Sequence, residues 1–126
     1  MITLLTTLAF VYIGFCAILF VLQRSLIYLP QPEARGPAAP TLTLPVQGAD
    51  LLVTVHSQQG QKALIYFGGN AEDVSSTLPE LSAAFPGHAL YLLNYRGFGG
   101  SSGRPSEAAL FADGLALFDK VRATHS

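Results

Sequence analysis

The chain has 126 residues, of which 50% are hydrophobic and 12% are charged, and its formal net charge is −1. This length suits one domain at most. The seven Lys and Arg residues form no cluster, so a nucleic-acid partner is not predicted. The one cysteine, Cys16, has no partner for an internal disulfide, and Cys and His do not group into a metal site.

The N-terminal stretch from Ile2 to Leu22 contains no charged residue. A helix of about 20 apolar residues crosses the roughly 30 Å hydrocarbon core of a bilayer. A secretory signal would have a basic start, a shorter apolar core and a cleavage site of small residues, and this stretch has none of them. Residues 1–23 are therefore predicted to form an uncleaved, single-pass anchor in the lipid bilayer. A cleaved signal sequence and a buried core helix are the alternatives.

The first charges after the apolar stretch indicate an orientation. Arg24 and Arg35 follow the stretch, and nothing basic precedes it. The bias of basic residues toward the cytoplasm favours a cytoplasmic location for the C-terminal part. Residues 24–40 are rich in proline, which predicts an extended linker.

Residues 41–126 have the pattern of an α/β domain. Strand-like runs extend from Thr41 to Leu44, from Leu51 to His56, from Ala63 to Phe67 and from Ala89 to Tyr95. Helical patterns follow the third and the fourth of these runs. About four strands and two helices in this order predict a sheet with helices packed against it.

A glycine turn joins the third strand to the first of these helices. Gly68 and Gly69 precede Asn70, which is predicted to cap a helix whose first turn holds Glu72 and Asp73. Free backbone N–H groups of such a turn, together with the helix dipole, hold negative charge. The turn is therefore the candidate site.

The chain resembles the α/β-hydrolase superfamily, and most of all the small membrane-anchored serine hydrolases of its serine-aminopeptidase-like branch. The resemblance covers nearly the whole chain. Its motifs are Gln23-Arg24-Ser25-Leu26-Ile27-Tyr28-Leu29-Pro30, Tyr66-Phe67-Gly68-Gly69-Asn70-Ala71, Asn94-Tyr95-Arg96-Gly97-Phe98-Gly99 and the run from Ser101 to Glu107. One departure is Gly68, where the family usually has His.

The resemblance implies a role for the glycine turn. The backbone N–H of Asn70 would be one of two donors in the oxyanion hole of an enzyme that hydrolyses esters or amides. The catalytic Ser, Asp and His would follow beyond residue 126, so the fold implied for 41–126 is the N-terminal half of an α/β-hydrolase sheet. The chain alone is then expected to be inactive, as a truncated frame or one piece of an interrupted gene. No cofactor is implied.

Ser101 is the alternative nucleophile. It lies in Gly99-Gly100-Ser101-Ser102-Gly103, which fits the G-x-S-x-G pattern, and Asp113 or Asp119 and then His125 follow it in the order Ser, Asp, His. A nucleophile elbow places its Ser directly between a strand and a helix, whereas several loop residues flank Ser101 on both sides. The same glycines fail as a dinucleotide fingerprint, because Ser102 stands where the third glycine belongs.

A non-enzymatic function is the alternative hypothesis. In the resembling family the next strand would lie beside the run from Ala63 to Phe67. Without that strand this apolar edge is open, and it predicts docking of another protein chain. The chain would then be a membrane-anchored binding or structural half-domain.

Overall fold

The computed structural model describes residues 2–33, 40–58 and 61–125. Its helices are α1 (Ile2–Ile27), α2 (Leu78–Ala84) and α3 (Glu107–Thr124), and a 3₁₀ turn, Val74–Thr77, leads into α2. Its strands are β1 (Thr41–Val46), β2 (Ala49–His56), β3 (Ala63–Phe67) and β4 (Ala89–Leu93). The predicted α/β class is confirmed. Residues 34–39 of the predicted linker, including Arg35, lie outside the described residues.

Helix α1 has 26 residues and a mean hydropathy of 2.4, and none of its described residues is buried against the rest of the chain. It is long and apolar enough to cross a membrane, a test that an N-terminal signal sequence also passes. The helix continues to Ile27, four residues beyond the predicted anchor, and the N–H of Tyr28 still donates to the carbonyl of Arg24 at 2.9 Å. The predicted linker therefore begins as helix.

The four strands form one mixed sheet in the order β1-β2-β4-β3. β2 pairs antiparallel with both β1 and β4, whereas β3 pairs with β4 in parallel. Among the described residues β3 has β4 as its one neighbour, so β3 is an edge strand.

The central strand β4 divides the core into two clusters. Leu93 packs on one face of the sheet with Leu51, Leu117 and other residues of β2 and α3. Leu90 and Leu92 pack on the opposite face with Val74. A strand covered on both faces needs apolar residues at successive positions, which explains the unbroken run in β4.

The predicted start of the helix after the glycine turn was wrong. The helical conformation begins at Val74, where the Asp73 side chain caps the 3₁₀ turn by accepting from the N–H of Ser75 at 3.0 Å. Asn70, the predicted cap, makes its contacts elsewhere. Asp and Asn are about equally good caps, and Asp73 lies next to the buried residue Val74, which sets where the helix meets the sheet.

Candidate functional site

Two loops leave the sheet at the same edge. β3 and β4 are adjacent and parallel, so the glycine turn after Phe67 and the loop 94–106 after Leu93 both start at the carboxyl ends of these strands. Ligands of open α/β sheets bind outside the carboxyl ends of the strands. The two loops therefore form the candidate site, and the loop after β3 is the glycine turn that the sequence predicts.

Asn70 uses its side chain and its backbone differently. Its side-chain amide donates to the carbonyl of Ile27 at 2.7 Å and accepts from the N–H groups of Leu29 and Ala71 at 3.1 and 3.0 Å. Its backbone N–H donates no hydrogen bond to any other described residue. The backbone N–H of Asn70 is thus unpaired within the described part of the chain, while its side chain holds the end of α1.

The residue that follows the donor has a strained backbone. Ala71 has a φ of 62°, in the left-handed region, and it is the one non-glycine residue there among those described. This conformation costs an L-residue about 1–2 kcal/mol. The surrounding hydrogen bonds, including that from the Ala71 N–H to the Asn70 side chain, hold it in place.

Glu72 organises the inner side of the turn. Its carboxylate accepts from the N–H of Gly69 at 2.7 Å, from the hydroxyl of Thr77 at 2.7 Å and from the phenol of Tyr66 at 3.1 Å. Burial by itself would raise the pKa of Glu72, but the three hydrogen bonds to the ionised form outweigh it and lower this pKa below its ordinary value. The N–H of Gly69 is consequently occupied, in contrast to that of Asn70.

Two tyrosines surround this carboxylate. Burial raises the pKa of Tyr66, and its hydrogen bond to Glu72 raises it further, so the phenol remains a donor at neutral pH. The pKa of Tyr95 is raised by burial and then by the charge of Glu72. Both phenols are therefore uncharged at neutral pH.

Asn94 connects the two loops. Only 3% of it is exposed, and its side chain accepts from the N–H of Val74 at 3.2 Å and donates to the carbonyl of Gly99 at 3.4 Å. Gly99 has a φ of 51°, and a β-carbon there would overlap the Asn94 amide. The position needs glycine both for its backbone conformation and for this close approach.

The loop after β4 is also fixed to helix α3. Arg96 donates through Nε and an Nη group to the two carboxylate oxygens of Asp113 at 2.7 and 2.8 Å. Asp113 is fully buried, and its hydrogen bond to the guanidinium raises the pKa of Arg96. This bidentate ion pair holds the loop against α3.

Ser101, the alternative nucleophile, lies buried against β2 and against Asn94, the residue after β4. Its hydroxyl donates to the carbonyl of Asn94 and accepts from the N–H of Leu52, both at 2.8 Å. The residues that follow it in sequence have other partners. Asp113 binds Arg96, Asp119 lies 3.4 Å from Arg122, and His125 Nε2 lies 2.9 Å from the Tyr91 hydroxyl. The structure does not bring these residues together with Ser101.

Sequence reasoning located the turn but missed four residues that shape the two loops of the site. Glu72 was read as part of a helix, and no role was given to Asn94 or to the pair of Arg96 with Asp113. The signals were weak, because an Asn after a strand and an Asp within a helix have many ordinary roles. A polar residue at a core position of α3, such as Asp113, is the one signal that indicates a buried partner.

We expect the close approach at Gly99 to show in a matched pair of variants. Gly99→Ala and Gly87→Ala both place a β-carbon at positive φ, but at Gly87 it would meet nothing within 4 Å. Both should lose about 1–2 kcal/mol of unfolding free energy from backbone strain. Gly99→Ala should lose about 1–3 kcal/mol more from overpacking against Asn94. Urea unfolding of the chain in detergent measures both, and equal losses would contradict the contact.

The lowered pKa of Glu72 predicts a pH dependence. The carboxylate stabilises the fold fully above its unfolded pKa of about 4.5, and this contribution is lost as the pH falls through the lower, folded value. Glu72→Gln should cost about 1–3 kcal/mol at pH 7 and less at pH 3. The control is Glu80→Gln, an exposed position in the first turn of α2. Denaturation curves at both pH values test this, and a loss for Glu72→Gln that does not change with pH would refute it.

Comparison with known proteins found relatives that are described as uncharacterized. The chain is 36% identical over 111 residues to the uncharacterized protein MT2364 of Mycobacterium tuberculosis strain CDC 1551 and to the uncharacterized protein Rv2307c of strain H37Rv. Each alignment covers 75% of this chain and 37% of the relative, so the chain spans just over a third of the curated relatives' length. No protein-family model matches the chain, and no solved structure matches it significantly.

Proposed function

We propose that the chain forms the N-terminal part of a membrane-anchored serine hydrolase of the α/β-hydrolase superfamily, with the backbone N–H of Asn70 as one oxyanion donor. The unpaired N–H at the carboxyl end of β3 is the observation that carries this proposal. It is supported by the sheet order β1-β2-β4-β3 and by the motifs that resemble this superfamily. The greater length of the relatives leaves room for a nucleophile, an acid and a base.

The charge at the turn favours a transient oxyanion. The carboxylate of Glu72 receives the Gly69 N–H at 2.7 Å and so lies beside the free donor. A phosphate, with up to about two negative charges, would be repelled by it more strongly than the tetrahedral intermediate of acyl transfer, which carries one. A well-placed donor contributes about 3–4 kcal/mol to that state. The second donor would follow the nucleophile in sequence.

The same proposal places helix α1 in the membrane as a single-pass anchor. The helix is exposed along its length and apolar, and its first charged residue is Arg24. The positions of Arg24 and Arg35 favour a cytoplasmic location for the sheet.

Substitutions at Asn70 separate the backbone donor from the side chain. The test protein is residues 1–126 joined to the part of Rv2307c that follows the aligned region. Asn70→Pro removes the N–H and should lower kcat for an acyl ester about 100-fold to 1,000-fold, since one oxyanion donor is lost. Asn70→Ala keeps the N–H and is the control for loss of the side-chain contacts.

Equal losses of kcat in the two variants, with circular dichroism unchanged, would show that the backbone N–H of Asn70 is not an oxyanion donor. A fluorophosphonate probe gives a second readout. It should label the joined protein outside residues 1–126 and leave the 126-residue chain unlabelled. A label on Ser101 would overturn the proposed assignment of the nucleophile.

A second candidate function is that of a non-catalytic half-domain that pairs through the open edge of β3. An apolar groove of about 510 Å³ lies between β3 and α3. On α3, Phe111, Leu115 and Phe118 lie at i, i+4 and i+7 and are 69%, 65% and 50% exposed. A twofold dimer that pairs two β3 edges would cover both grooves.

Self-association tests this second function. Sedimentation velocity of the chain in density-matched detergent should give a dimer, and Phe111→Lys should shift it toward monomer because a charge enters the groove. Phe85→Lys is the control, since Phe85 is exposed but lies outside the groove. A wild-type chain that is folded and monomeric would exclude this function.

A further inference from the structure

The chain that leaves helix α1 is tied to the candidate site within a few residues. The carbonyl of Ile27 and the N–H of Leu29 bind the Asn70 side chain at 2.7 and 3.1 Å. The carbonyl of Gln31 then accepts from the N–H of Gly99 at 2.9 Å. Both loops of the candidate site are therefore fixed close to the end of the helix.

The end of the helix marks a level in the bilayer. The uncharged stretch of 21 residues from Ile2 to Leu22 rises about 1.5 Å per residue, so it spans roughly the 30 Å hydrocarbon core. Arg24 lies about 3 Å further along the helix axis. With α1 in the membrane, Arg24 reaches the layer of the lipid phosphates.

A second arginine lines the same groove as Arg24. Arg104, from the loop after β4, lines with Arg24 a groove of about 710 Å³ whose other walls include Val21, Ser25 and Tyr28. No carboxylate is among the described residues that line this groove. Within the described part of the chain neither arginine forms an ion pair, whereas Arg96 and Arg122 each do.

The groove combines the groups that an anionic lipid requires. Guanidinium groups bind phosphate oxygens in a bidentate manner, and they are desolvated more easily than ammonium groups. The hydroxyls of Ser25 and Tyr28 are further hydrogen-bonding groups, and tyrosine is common at the membrane interface. Val21 extends the groove toward the apolar side, where an acyl chain would lie.

We infer that this groove binds the headgroup of an anionic phospholipid between Arg24 and Arg104. The inference rests on the proposed membrane span of α1 and not on the hydrolase activity. One basic side chain near an anionic membrane surface strengthens binding by about fivefold. A lipid held by both arginines joins the loop after β4 to the bilayer surface, in addition to the hydrogen bonds that tie the glycine turn to the end of α1.

Native mass spectrometry of the full chain tests the inference. The chain in a neutral detergent is mixed with equal amounts of dioleoyl phosphatidylglycerol and dioleoyl phosphatidylcholine, and the ratio of the two lipid adducts is measured. Arg104→Gln and Arg24→Gln should each lower the preference for phosphatidylglycerol about fivefold. Arg122→Gln, an exposed arginine of α3, should leave it unchanged.

Three outcomes would overturn the inference: no preference in the wild-type chain, an equal loss in Arg122→Gln, or full displacement by equimolar glycerol phosphate, which would indicate a soluble anion. Arg104→Gln alters an exposed loop residue and leaves α1 intact, so it remains informative if Arg24→Gln inserts poorly. Alkaline carbonate extraction of membranes tests the span itself. A chain that stays in the membrane without lipid preference refutes this inference alone, whereas a chain that is released refutes the anchor.

Discussion

The buried side-chain amide of Asn94 is the contact on which the candidate site depends. It lies directly after β4, and it joins the 3₁₀ turn at Val74 to the loop at Gly99. Because both its donor and its acceptor groups are used inside the protein, displacing either loop would leave a buried polar group unpaired. The parallel pairing of β3 and β4 brings the two loops together at the carboxyl ends of these strands, and Asn94 then sets their separation.

The same network extends to the helix proposed to span the membrane. Gly99, which binds Asn94, also donates to Gln31, and the Asn70 side chain binds Ile27, the last residue of α1, and Leu29 just after it. The glycine turn is thus placed relative to α1 by hydrogen bonds at two separate points. In the proposed hydrolase, this arrangement would present the oxyanion donor at a fixed distance from the bilayer surface.

The electrostatics of the turn differ from those of an anion site at a helix end. The helical conformation begins at Val74, several residues after the glycines. At its start the Asp73 side chain accepts from the N–H of Ser75, and Asn94 accepts from that of Val74. Glu72 uses the N–H of Gly69 and adds a negative charge. The backbone N–H of Asn70 stays unpaired among the described residues, and one such donor suits a single charge that develops during a reaction better than a bound ligand of higher charge.

Local pattern was sufficient to predict the elements of this protein. The apolar stretch and the four strands were predicted from the pattern of apolar residues, and a helical pattern was predicted after the fourth strand, where α3 lies. The spacing of apolar residues along each run indicates its type, so the residue order alone predicts these features even where their partners are distant in sequence.

Only the tertiary structure decided which partners the polar side chains take. The sequence placed Asn70 at a helix start, but its amide instead meets Ile27, 43 residues away. Asp113 was considered as a catalytic acid and is the buried partner of Arg96. Side chains such as these can satisfy their hydrogen bonds in many ways, and local sequence does not rank them. The choice is made when the sheet order brings distant segments together, because each buried polar group must then find its partner among the neighbours that the fold supplies.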